Sequence, residues 1–244
     1  MSGQRNGADD MTDKVLGVLG GMGPLASAHF MLRLTLLTPA DRDQDHIPTV
    51  LWSDPRIPDR IAGLKGTGPD PLPWLLRGIH GLRQAGCGAI VIPCNTVHAW
   101  ISEMKAAAEM PILHIVDAAA ADLRRLGIGG GTIGVLGTVP TLAMRLYQDR
   151  LEGEGWRCIQ PDDSEMDRLV LPAIAMVKVN RLADAYAPLV AAANSLVARG
   201  ATAVVLGCTE LPMAMQAGPA SAVQVPVVDS IDALARAAIV WARG

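Results

Sequence analysis

Four cysteines, Cys87, Cys94, Cys158 and Cys208, are the side chains best suited to proton or covalent chemistry, and they stand far apart in a chain of 244 residues. None forms the close C-x-x-C pair of a zinc site or a redox dithiol, so no metal is expected. In a reducing compartment they are free thiols, and each either fills core or does chemistry. Two of them share a context. Leu82, Gly86, Ala89, Val91 and Cys94 match Leu196, Gly200, Ala203, Val205 and Cys208 without a gap. Cys87 and Cys158 have no such mates and read as core. Two thiols facing each other across a carbon atom have an obvious use. One takes a proton as thiolate, the other returns one from the opposite face, and the centre inverts. A thiol pKa lies close enough to neutral for both protonation states to be reached. The weakly acidic carbon then needs cations and amide donors around its carboxylate to hold the developing charge.

The elements that must position these thiols are also repeated. Val15–Gly20 is a short apolar run ending in glycine, followed by Pro24 and a helical stretch; Thr132–Gly137 is the same, followed by Pro140. Pro111–Asp117 resembles Pro226–Asp229, and each precedes an Ala-rich helix, so Asp117 is paired with Asp229. Short β-branched runs alternating with helical patterns predict parallel sheets covered by helices. The expected fold class is α/β: two pseudosymmetric doubly wound domains, each a mostly parallel sheet with helices on both faces, and an active site in the cleft between them. The expected boundaries are a disordered tail at 1–13, an N-terminal domain of 14–117 plus 226–244, and a C-terminal domain of 118–225, joined near the Gly-rich stretch 127–131. Cys94 and Cys208 each follow a strand and begin a helix, at the sheet edge where ligands bind in open α/β folds. A helix N-terminus there is expected to lower the thiol pKa.

Bulk properties exclude several classes. Half the residues are apolar and 18% charged, which excludes wholesale disorder. A net charge of −3 without Lys/Arg runs gives no reason to expect nucleic acid. No apolar run reaches the roughly 18 residues that span a bilayer, and the polar N-terminus is no secretory signal, so the cytoplasm is the expected location. The glycines Gly129, Gly131 and Gly134 form a G-x-G-x-x-G that precedes a strand, the wrong order for a dinucleotide fingerprint.

Together with Gly20-Gly21-Met22-Gly23-Pro24, the motifs Pro93-Cys94-Asn95-Thr96-Val97-His98 and Gly207-Cys208-Thr209-Glu210 resemble the aspartate/glutamate racemase family, from Lys14 to the end of the chain. Residues 38–46 and 57–60 make the aspartate racemases the nearest branch. The resemblance implies a small acidic amino acid as substrate, no cofactor, and a homodimer. It implies that Cys94 and Cys208 are the two acid/bases, and that Arg60 and Lys178 hold substrate carboxylates. Met22, Asn95, Thr96, Thr138 and Thr209 are expected to contact the substrate, with Arg42, Gln44, His98 and Glu210 as further candidates. Lys178 lies in Val-Lys-Val, an apolar setting in which an unpaired ammonium would be costly. The turn at Thr138-Val139-Pro140-Thr141 departs from the family's usual sequence. Alternative readings are another activity of the superfamily on a carboxylated substrate, such as maleate isomerase or hydantoin racemase, and a non-catalytic amino-acid-binding protein.

Overall fold

The computed structural model describes residues 14–244, so the tail expected at 1–13 lies outside the described residues. The first half runs β1 (Leu16–Gly20), α1 (Pro24–Leu37), β2 (Thr49–Ser53), α2 (Arg60–Leu64), α3 (Leu72–Gln84), β3 (Ala89–Val91), α4 (Ile101–Ala108), β4 (Ile112–Leu113) and α5 (Ile115–Arg125). The second runs β5 (Gly131–Gly137), α6 (Val139–Ala143), α7 (Gln148–Gly153), β6 (Trp156–Ile159), α8 (Asp163–Glu165), α9 (Leu171–Lys178), α10 (Leu182–Ala198), β7 (Ala203–Gly207), α11 (Leu211–Met215), β8 (Val227–Asp229) and α12 (Ser230–Arg243).

The eight strands form two parallel four-stranded sheets with the same order, β2-β1-β3-β4 and β6-β5-β7-β8. The central strands β1, β3 and β7 are buried at every position, as expected where helices cover both faces of a parallel sheet. The architecture is therefore the two-domain α/β fold, and its repeat extends to register: Gly17 pairs with Ile90 as Gly134 pairs with Val204.

The register revises one correspondence in the repeat. Ile90 pairs with Ile112 and Val204 with Val227, which places His114, rather than Asp117, opposite Asp229. Both residues cap the following helix. His114 accepts a hydrogen bond from Val116 N–H, and Asp229 accepts from Ile231 and Asp232 N–H. The pairing of Asp117 with Asp229 matched residue type; the cap position is what the fold repeats.

Residues 226–244, assigned above to the first domain, divide between the two. β8 hydrogen-bonds to β7 in the second sheet, while α12 packs on α1 and α5. Arg33 of α1 grips Asp232 of α12 with two bonds of 2.5 and 2.7 Å. Buried Asp122 of α5 accepts from Arg125 and from Arg236 of α12. These charge-assisted pairs and the shared apolar core fix the two sheets relative to one another. Among the described residues, no helix is long and apolar enough to cross a membrane.

Candidate active site

The loops after β1, β3, β5 and β7 all leave the sheets at their C-terminal ends and converge on one cavity. Its lining includes Met22, Arg60, Cys94, Asn95, Thr96, Thr138, Lys178, Cys208, Thr209 and Glu210. The cavity is small, about 30 Å³, enough for one or two waters.

Each wall has a local cause. The turn after β1 is tight because Gly21 adopts φ +94°, and a Cβ there would lie 2.5 Å from the Asp54 backbone. Ser27 closes the same turn, accepting from Gly21 N–H and donating to Gly23 C=O. Met22 is thereby held buried in the cavity wall. Arg60 opens α2, whose cap is Asp59 accepting from Ala62 N–H at 2.8 Å. The Arg60 guanidinium donates to Pro58 C=O at 3.1 Å, yet its buried Nε has no partner. Lys178 ends α9 at the cavity edge. The residue is exposed, not held in the apolar setting that the Val-Lys-Val sequence suggested: Val177 is buried in the core while Lys178 and Val179 are exposed.

Cys94 comes from the first sheet and Cys208 from the second, and each is about 5% exposed. The expectation that a helix N-terminus lowers their pKa fails, because burial outweighs it and pushes both thiols up. The two then diverge. The Arg60 charge pulls Cys94 back down. The Glu210 carboxylate, accepting from the Cys208 thiol at 3.0 Å, pushes Cys208 further up.

The threonines bridge the halves. Thr96 Oγ1 lies 3.2 Å from both Thr138 Oγ1 and Thr141 Oγ1, and Thr138 also caps α6. The unusual turn sequence thus places Thr138 in the cavity. Thr209 is buried beside Cys208, and Asn95, buried beside Cys94, has an Nδ2 without a partner. His98 sits behind the Cys94 loop rather than in the cavity: its Nδ1–H donates to Cys94 C=O at 2.9 Å and contacts Asn95 C=O at 3.2 Å. Its ring packs edge-on against His114, with centroids 4.5 Å apart, and burial lowers its pKa to about 4. Arg42 and Gln44 are exposed and do not line the cavity, and Arg42 pairs with Asp45.

Asp59, Ile61 and Ile174 also line the cavity; Asp59 lies in the 57–60 motif but was not singled out, although Pro58-Asp59 ahead of a helix is a readable cap, and Ile61 and Ile174 carried no signal in the motifs. Among the described residues, no group of three His, Cys, Asp or Glu side chains gathers as metal ligands.

Residues 19–238 match the Asp/Glu/Hydantoin racemase family. The chain is 25% identical over 230 residues to the broad specificity amino-acid racemase RacX of Bacillus subtilis, covering 92% of this chain and 96% of that one. Its structure resembles the Picrophilus torridus aspartate racemase with a TM-score of 0.82 at 32% identity, covering 94% of both chains. A Francisella tularensis glutamate racemase solved with D-glutamate shares the fold, with a TM-score of 0.65 at 16% identity over 94% of this chain and 81% of that one. With its paired sheets, mirrored cysteine loops and this match over most of its length, the chain belongs to the Asp/Glu/hydantoin racemase family and is an isomerase.

Proposed function

We propose that this isomerase interconverts L- and D-aspartate, with glutamate as the alternative substrate, by cofactor-independent proton transfer between Cys94 and Cys208. The observation that carries the reading is the meeting of a thiol from each pseudosymmetric half in one cavity that also holds two cations, Arg60 and Lys178. Two cations suit a substrate with two carboxylates. The similarity to an aspartate racemase at 32% identity favours aspartate as the first substrate to test.

In this reading the site starts asymmetric. Cys94, beside Arg60, is the readier thiolate; Cys208 keeps its proton and donates it in a hydrogen bond to the Glu210 carboxylate. The Cys94 thiolate removes the α-hydrogen as a proton, and the electron pair it leaves spreads onto the α-carboxylate. Thr96 and Thr209, which line the cavity beside the thiols, donate to that charge. Cys208 then gives its proton to the opposite face, leaving Cys94 as thiol and Cys208 as thiolate. Proton exchange with solvent restores the starting state. The opposite enantiomer is converted by the same steps in reverse.

The decisive experiment incubates the protein with L-aspartate, and separately L-glutamate, in deuterated water without added cofactor. Accumulation of the α-deuterated D-isomer is expected, and Cys94→Ser and Cys208→Ser are each expected to lose racemisation. Absence of both inversion and deuterium uptake with either amino acid would overturn the reading. We also propose that the protein works in the cytoplasm, where its thiols stay reduced, and as a homodimer. The dimer reading is supported by the outer face of α1, where Leu25, Leu32 and Leu36 are exposed.

A further inference from the structure

One side chain outside the cavity touches both cysteine loops. Tyr147 lies just before α7 and is fully buried. Its hydroxyl donates to Asn95 Oδ1 at 2.7 Å, on the residue that follows Cys94. Its ring occupies the space beside Gly207, the residue that precedes Cys208: a Cβ on Gly207 would meet the ring at 2.8 Å. Real Cβ atoms essentially never come so close, so this glycine is required for the ring to sit there.

The hydrogen bond also decides what Asn95 offers the cavity. A side-chain amide has one oxygen acceptor and two N–H donors, and its orientation follows from the network around it. With Oδ1 taken by the phenol, Nδ2 is the end left over. It is buried and has no partner in the protein, while Asn95 lines the cavity. A buried donor without a partner is costly, and the group that would satisfy it is an oxygen of a bound ligand. A phenol suits this role because burial raises its pKa further above neutral, so it remains a donor wherever the thiols act.

We propose that Tyr147 is a positioning residue: it aims the Asn95 amide as a donor at a substrate carboxylate oxygen, and its ring sets the spacing between the Cys94 and Cys208 loops. The proposal rests on the two-thiol reading above and adds that Asn95 meets the α-carboxylate rather than the ammonium group. Because charge grows on that carboxylate as the proton leaves, the loss of the donor falls mainly on kcat and less on KM.

The test compares wild type with Tyr147→Phe, Asn95→Ala and the double variant, by α-deuterium uptake into aspartate and by thermal unfolding. Tyr147→Phe keeps the ring on Gly207 and removes only the hydroxyl. It is expected to lower kcat about tenfold to a hundredfold, somewhat below the loss seen on deleting an oxyanion donor outright, with a melting temperature within a few degrees of wild type. If Tyr147 acts through Asn95, the double variant is no slower than Asn95→Ala alone. Wild-type kcat in Tyr147→Phe, or losses that multiply in the double variant, would overturn the proposal. A loss of kcat that merely follows a large fall in melting temperature would overturn it as well.

A second arm reads binding without turnover, as the rise in melting temperature on adding succinate. The wild-type rise is expected to shrink in both single variants. No deuterium uptake by wild type, with a succinate rise that depends on Tyr147 and Asn95, overturns the reaction but not the positioning role. A rise that ignores both residues overturns the positioning role. No uptake and no rise in wild type overturns both.

Discussion

The Cys208 thiol donates to the Glu210 carboxylate at 3.0 Å, and this contact sets the two thiols apart. Burial raises both thiols, but Arg60 pulls Cys94 back down while the hydrogen-bonded Glu210 adds to the rise at Cys208, so the fold favours Cys208 over Cys94 as the thiol that keeps its proton. Replacing the carboxylate with an uncharged amide removes one cause of that preference. Glu210→Gln is expected to bring the alkylation of Cys208 by iodoacetamide to lower pH. Racemisation is expected to fall, since Cys208 loses the anion that adds to its hold on the proton. An unchanged alkylation profile for Cys208 in that variant would rule out Glu210 as the group that holds its proton.

The two cations differ in how they are held, and their variants are expected to differ accordingly. Arg60 is half-buried and donates to Pro58 C=O, but leaves Nε free for a ligand. Arg60→Ala is expected to raise KM for aspartate by a hundredfold or so, of the order of a lost charged hydrogen bond, with a fall in stability of about 1 kcal/mol or less. Lys178 is exposed, so Lys178→Ala is expected to weaken binding with no measurable change in melting temperature. Equal losses of activity and stability in Arg60→Ala would make that residue structural.

The fold was legible because its signals are periodic and repeated. Buried strands such as Ala203–Gly207 read as continuous apolar runs, and the matching cysteine contexts located both thiols relative to their strands. Residues reached through tertiary contact were hidden. Tyr147 is 52 positions from Asn95, and nothing in its local sequence marks it as that residue's partner. The thiol pKa was misjudged for a related reason. Position at a helix start is visible in a sequence, whereas full burial opposite Glu210 or Arg60 depends on how the two halves close. Lys178 shows the converse error. Apolar neighbours in sequence face opposite ways on a helix, so Val-Lys-Val says little about whether the ammonium is buried. Arg42 and Gln44 lie in a motif that resembles the family, but they are exposed and do not line the cavity.

Helix α1 is apolar on more than its core side. Phe30 and Leu34 point inward, while Leu32 and Leu36 are 55% and 63% exposed. A helix with apolar residues on both faces is normally covered on both. If a second copy of the chain covers this face, Leu36→Glu places a charge in the contact and is expected to yield a monomer by sedimentation, with the fold intact by circular dichroism. A wild-type monomer at micromolar concentration would remove the dimer altogether, and a variant that still dimerises would move the interface away from α1.

Acid stability should depend on the histidine behind the Cys94 loop. His98 is buried, its Nδ1–H is committed to Cys94 C=O, and its pKa is lowered to about 4 from an ordinary value of 6.5. His114, edge-on beside it, is lowered in the same sense by burial and by His98. Above pH 6.5 both are neutral whether the chain is folded or not, and they contribute no pH dependence. Between pH 6.5 and 4 the unfolded chain binds protons that the folded chain refuses, so stability falls as the pH falls. For His98 alone the effect is on the order of 3 kcal/mol by pH 4. His98→Gln keeps a side-chain N–H donor and removes one titrating ring, so its stability should decline less steeply over this range. Urea unfolding at pH 7 and pH 4.5 measures the difference. Equal slopes for wild type and variant would mean that His98 is protonated in the folded protein, contrary to the neutral ring that burial favours.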